Sequence, residues 1–173
     1  PLEPWMMYSW AITGGRTHEE AYLSALIQGV EALMTGTTTV LDHLGGPVHL
    51  SAEAARAYSD LGIRAAVAPM ISDIPLHRTV GLGDDAWKSE HAAGLAMLEQ
   101  PTATELLDET KNLHEKWDGA ADGLISILIG PSAPQRCTPE LLDGCAQLSE
   151  ELGTRVHTHL LESRAQSVHP RAG

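Results

Sequence analysis

Phenylalanine is absent from the sequence altogether. That gap accompanies an Ala-, Gly- and Arg-leaning usage and by itself excludes nothing. Other shortages are more informative. Only two cysteines occur, Cys137 and Cys145, without C-x-x-C spacing, which excludes a disulfide framework and points to a reduced, cytoplasmic setting. Basic residues number 11 against 23 acidic ones, a formal charge of −12, so no nucleic-acid partner and no anionic membrane surface is expected. No apolar run approaches the roughly 20 residues of a membrane span, and the first residues do not read as a signal peptide. With 173 residues, the chain also falls short of the roughly 250 that a closed (β/α)₈ barrel needs. What remains is globular in composition, 43% hydrophobic and 20% charged. The chain starts at Pro1 rather than Met and stops at His169-Pro170-Arg171-Ala172-Gly173, just after a new segment opens. Both ends read as those of a fragment.

The strongest helix signal spans about 18–35. Thr17 and Glu20 form a capping box, each side chain serving a backbone N–H of the first turn. Tyr22, Leu23, Leu26, Ile27, Val30, Leu33 and Met34 fall on one stripe at 3.6-residue spacing, which predicts the buried face, and Gly36 ends the helix. The β-branched stretch 37–42 then predicts a strand. The unit recurs: a helix from Ser51 to about Leu61 ended by Gly62, a strand at 64–68, and a polar, Gly-containing stretch over 71–90. A helix near 103–117 follows, then a strand at 124–129. Thr138-Pro139 opens a helix carrying Leu141, Leu142, Cys145, Leu148 and Leu152, Gly153 ends it, and a strand at 155–160 closes the series. Strands alternating with helices imply right-handed βαβ units, a parallel sheet, and function at the carboxyl ends of the strands.

That rule directs attention to His157-Thr158-His159-Leu160-Leu161-Glu162. Alternating strand side chains put His157 and His159 on one face, where a histidine can ligate Zn²⁺ or Fe²⁺ and a nearby glutamate can move protons. On spacing alone, two hydrogen-bonded or solvent-facing histidines are the favoured explanation, and a metal site is the minority one. His43, at a strand end, reads as a helix-capping or loop residue, with a substrate contact as the alternative. Asp84-Asp85 reads as a solvated turn, the two cysteines as small apolar fillers, and Trp5, Met6, Met7 and Trp10 as core or lid packing.

Three blocks occur in order: Gly36-Thr37-Thr38-Thr39-Val40-Leu41-Asp42-His43, Gly130-Pro131-Ser132-Ala133-Pro134-Gln135-Arg136-Cys137, and His157-Thr158-His159-Leu160-Leu161-Glu162-Ser163. Together they resemble the amidohydrolase superfamily, in the branch of cytosine, guanine and 8-oxoguanine deaminases, methylthioadenosine/S-adenosylhomocysteine deaminases and triazine hydrolases. The resemblance implies an α/β fold in which residues 1–173 form one incomplete domain, part of a (β/α)₈ TIM barrel from about its second to its fifth strand. It implies a divalent metal, zinc or iron, with His159 as a ligand. Glu162 would be the acid/base that takes a proton from metal-bound water and delivers it to the leaving nitrogen. Ser132 stands where some deaminases of the branch carry a substrate-contacting histidine, so that role is not carried over. Ser132, His157 and Trp5 are candidate substrate-binding positions, His157 also as a packing residue beside His159.

The family's other ligands, a His-x-His on the first strand, a sixth-strand His and an eighth-strand Asp, would lie outside this sequence. The expected function is therefore that of a piece of a metal-dependent hydrolase of C–N bonds other than peptide bonds. It would deaminate a small heterocyclic substrate and be inactive alone. An open half barrel also allows a homo-oligomer through its unpaired edges. Two other functions share these residues: a non-catalytic open α/β domain that binds a ligand or partner, and a triazine-type or cyclic-amide hydrolase.

Overall fold

The computed structural model describes residues 15–75 and 100–163, together with Trp5, Ser9 and Thr79. Met6, Met7, Trp10, the Asp84-Asp85 pair, most of the 71–90 stretch and the terminal residues 164–173 lie outside the described residues. Helix α1 (His18–Met34) starts at the expected capping box: Thr17 Oγ1 accepts from Glu20 N, and the Glu20 carboxylate accepts from Thr17 N. It ends in a Schellman turn at Gly36 (φ 85), where Gly36 N donates to Leu33 O and Thr37 N to Ala32 O. That turn absorbs Thr37, so strand β1 runs Thr39–Leu44, two residues later than β-propensity suggests.

After a 3₁₀ turn at Val48–Leu50 come α2 (Ser51–Leu61), β2 (Arg64–Ile71), α3 (Ala103–Trp117) and a short helical turn at Ala120–Gly123. β3 (Ile125–Ile127), β4 (Gly130–Pro131), a 3₁₀ turn at Pro134–Arg136 and α4 (Pro139–Leu152) complete the order. Gly62 and Gly153 stop α2 and α4 in the left-handed conformation, at φ 68 and 65. α3 carries a second capping box, Thr102 with Glu105.

The sheet is parallel, in the order β1-β2-β3, with β4 pairing farther along β2. In register, His43 faces Ala68, Val67 faces Ile127, and Met70 faces Gly130. The expected strand at 124–129 is thus shortened to β3, and β4 resumes the pairing with β2 just beyond it. The break lies beside Pro69, which has no N–H to donate to a ladder. Alternation then sorts the faces. Ala65, Val67, Ile71, Ile125, Ile127 and Ile129 are buried in one cluster with Ala54, Tyr58, Leu106, Leu113, Leu141, Cys145 and Leu148 from the helices. Leu41 and Ser126, on the opposite face, are exposed.

Two expectations need correction. α1 does not bury its stripe of large residues: Leu23, Ile27, Val30, Leu33 and Met34 are exposed, Met34 at 82%. The buried face is Ala21, Ala25 and Gly29, packed against α2. Close helix–helix approach selects small residues, and a Cβ on Gly29 would sit 2.5 Å from Leu61 Cδ1. The segment 155–160 is not a full strand. It joins the sheet through a single bridge, Ile129 with Val156. Among the described residues, no helix is long and apolar enough to cross a membrane.

Candidate active site

The carboxyl ends of β1, β2 and β4 and the extended segment 155–160 converge on one small region. β4 approaches β2 so closely that only glycine fits at its start. A Cβ on Gly130 would lie 2.3 Å from Pro69 O and 3.1 Å from His43 Nε2. Next along the chain, Ser132 N donates to Ile71 O at 2.8 Å, holding the turn to the end of β2. Ser132 O accepts twice from one residue: from His159 N at 3.1 Å, and from His159 Nδ1 at 2.9 Å. A carbonyl can only accept, so that contact places the proton on Nδ1 and leaves the Nε2 lone pair for another partner.

His43, at the end of β1, lies between the other two histidines. Its ring stacks on that of His159, with centroids 4.5 Å apart and planes at 14°, and meets His157 edge-on at 4.8 Å. Burial pushes the His43 imidazole down to about 4. The Gly130 carbonyl, 3.3 Å from Nε2, opposes that shift, and the two neighbouring histidines reinforce it. His43 is therefore neutral at physiological pH. Its Nδ1 is buried without a hydrogen-bond partner among the described residues.

Behind the histidines, Arg136 ties the loops together. It is 1% exposed; Nη2 donates to Ser72 Oγ at 2.9 Å and Nε to Ile74 O at 3.1 Å. Burial holds its pKa below the ordinary guanidinium value, yet arginine stays charged in proteins. Asp73 accepts from Thr138 N at 2.8 Å and from the Thr138 hydroxyl, joining the end of β2 to the start of α4. Burial raises both thiols, Cys145 to about 12, so neither is a nucleophile.

Of the positions singled out in the sequence, His157, His159 and the backbone of Ser132 come together. The Ser132 side chain is buried, and the part of this residue that meets the histidines is its carbonyl. Glu162 is exposed just beyond Leu161, whose φ of 55 turns the chain sharply after the segment. Trp5 is 65% exposed and lies outside the group of ring contacts. Sequence reasoning left Arg136 without a role and left His43 between two. Neither carries a local signal, because their partners are 62 to 116 residues away in the chain. Among the described residues, no group of three or more His, Cys, Asp or Glu could hold a metal ion.

The amidohydrolase family model matches residues 1–169. The chain belongs to the amidohydrolase family. A relative from Symbiobacterium thermophilum, a 5-methylthioadenosine/S-adenosylhomocysteine deaminase, is 33% identical over 156 residues, covering 90% of this chain and 29% of its own length. Two solved structures share the fold of this amidohydrolase chain. One is an atrazine chlorohydrolase variant from Arthrobacter aurescens complexed with zinc and atraton (TM-score 0.70, 21% identity, 96% of this chain and 36% of that one). The other is guanine deaminase from C. acetobutylicum with bound guanine (TM-score 0.67, 19% identity, 86% and 30%). The chain spans about a third of the length of the curated relatives it matches.

Proposed function

We propose that this amidohydrolase chain supplies about the second to the fifth strand of a (β/α)₈ barrel, and that the protein carrying it hydrolyses a C–N bond of a small N-heterocycle. The observation that carries this is the His159 imidazole at the carboxyl edge of a parallel sheet, its Nδ1–H donated to Ser132 O at 2.9 Å. Metal-binding histidines almost always donate the second ring N–H to a carbonyl or carboxylate, which fixes the tautomer and frees the other nitrogen. His159 thus fits a divalent ion, zinc or iron, through Nε2. Zinc in the atrazine chlorohydrolase variant supports the choice of zinc. When bound, such an ion lowers the pKa of water towards neutrality and orients it for attack.

The chain's own residues would do the rest. Glu162 accepts a proton from the attacking water and returns it to the departing nitrogen, so that C–NH₂ and water become C=O and ammonia. His157 and Ser132 line the substrate side of His159. The deaminases of methylthioadenosine and guanine among its relatives support a purine or adenosine-derived substrate. A second reading, favoured by the fold shared with atrazine chlorohydrolase, is displacement of a triazine substituent by the same groups. The buried free thiols support a reducing, cytoplasmic setting.

The test uses the protein expressed from its complete reading frame, assayed for ammonia release from adenosine-derived nucleosides, guanine and aminotriazines. Glu162→Gln should keep its zinc and lose turnover by about 10² or more, the upper part of what a general acid–base group contributes. His159→Ala should lose the metal, read by elemental analysis. Near-normal turnover of Glu162→Gln, or full metal content in His159→Ala, would overturn the assignment.

A further inference from the structure

The proposed chemistry leaves His43 without a task, although it lies at the centre of the histidine group. It comes from β1, while Gly130 lies two strands away across β2, and its Nε2 still reaches Gly130 O at 3.3 Å. That distance is long for a hydrogen bond, so the ring is seated chiefly by packing. The seat is shaped for it. Ala68, paired with His43 on β2, has only a methyl group, and Gly130 has no Cβ, which would otherwise lie 3.1 Å from His43 Nε2. A face of the ring meets the His159 imidazole almost in parallel, at 14° and 4.5 Å.

We propose that His43 is a positioning residue: seated against the Gly130 backbone and stacked on His159, it fixes the plane in which His159 presents Nε2 to a divalent ion. Two restraints act on His159, and they are different in kind. The bond from Nδ1 to Ser132 O sets the tautomer and pins one edge of the ring. A single hydrogen bond leaves the ring free to tilt, and tilting swings Nδ1–H out of line with Ser132 O and weakens the bond that sets the tautomer. The face of His43 removes the tilt, and His157, edge-on at 4.8 Å, holds His43 from the side. This inference rests on the reading of His159 as a metal-holding residue.

Two variants of the protein from its complete reading frame test it: His43→Ala removes the ring, and His43→Phe keeps a flat ring without either nitrogen. Zinc affinity is read by competition with a chromophoric chelator. The His159 tautomer in the metal-free protein is read from its ring ¹⁵N shifts. His43→Ala should weaken zinc binding about tenfold or more, the usual effect of losing a residue that supports a ligand, while His43→Phe stays within about threefold of the parent. In the metal-free protein, His43→Ala should turn the single Nδ1–H form of His159 into a tautomer mixture, and His43→Phe should not. Unchanged zinc affinity and ¹⁵N shifts in His43→Ala would overturn the proposal. So would a His43→Phe protein as defective as His43→Ala, since a nitrogen rather than the ring face would then be at work. If the parent protein takes up no zinc, the functional assignment falls, and the tautomer comparison by itself still decides for or against the role of His43.

Discussion

Around the starts of β2 and of the segment 155–160, where they meet β3, the chain is tied by single neutral or exposed contacts. Thr154 Oγ1 donates to Ile127 O at 2.7 Å, Asp118 Oδ1 accepts from Ile127 N at 2.8 Å, and Arg64 Nη1 donates to Gly123 O at 3.2 Å. A cavity of about 250 Å³ opens beside them, lined by His114, Asp118, Ser126, Thr154 and Arg155 among others. At the carboxyl ends of the same strands, polar groups are interior. Arg136, Ser72 and Ser132 are buried, a carbonyl accepts twice from His159, and a glycine is required for two strands to meet. One end closes the fold with contacts that can be lost singly. The other holds side chains in fixed orientations and uses buried polar groups to do so, which is the arrangement a reactive site requires. The cavity beside Ser126 and Thr154 therefore does not mark the chemistry.

Substitution at each end measures that difference. Arg136→Met at the carboxyl end strips a buried hydroxyl and a partly buried carbonyl of their donor. It should cost about 3 kcal/mol, read as a lower urea midpoint, because each buried polar group left unpaired costs about 1–3 kcal/mol. Turnover should fall with it, since the loops that carry Ser132 and its bond to His159 lose their tie. At the amino-terminal end, Thr154→Val removes one neutral hydrogen bond and should cost about 1 kcal/mol, with zinc content and turnover unchanged. If the two substitutions cost the same, or if Thr154→Val lowers turnover, the two ends are not built differently.

How much of this is legible in the sequence depends on how local the signal is. Helix starts and stops are local. Thr17 with Glu20, Thr138 before Pro139, and Gly36, Gly62 and Gly153 after their helices each act within a few residues, and each is found in that role. The buried face of α1 is not local. Large residues and small residues both recur at helical spacing on it, on opposite sides. Hydrophobicity favours the large set, whereas the partner, α2, approaches closely enough to require Ala25 and Gly29. The segment 155–160 has strand composition but bridges the sheet only through Val156, which composition does not reveal because the partner, Ile129, lies beyond a break in its own strand. In the site, the His157-His159 alternation announces a shared face. The third ring, His43, is brought in by the order β1-β2-β3 and by the missing side chain at Gly130, neither of which any short stretch of sequence contains.

The smallest expected effect lies in the capping boxes of α1 and α3, far from either strand end in what they do. The backbone N–H and hydroxyl of Thr17 hold the Glu20 carboxyl below its ordinary value, and those of Thr102 do the same for Glu105. A folded-state pKa below the unfolded one means that the carboxylate form is favoured by folding. Its contribution is present above the ordinary carboxylate value and is lost as pH falls through the lowered one. Glutamine at the same position keeps a capping side chain but cannot titrate. The double variant Glu20→Gln/Glu105→Gln should therefore lose less stability than the parent between pH 5 and pH 3, measured as the urea midpoint at each pH, with the parent the more stable protein at pH 7 and the two converging at pH 3. Parallel acid profiles would mean that these carboxylates contribute nothing through their caps. A change in zinc content or turnover at pH 7 would mean that the helix starts and the strand mouth are coupled, against the separation drawn between the parts of the fold that only stabilise and the part that holds the histidines.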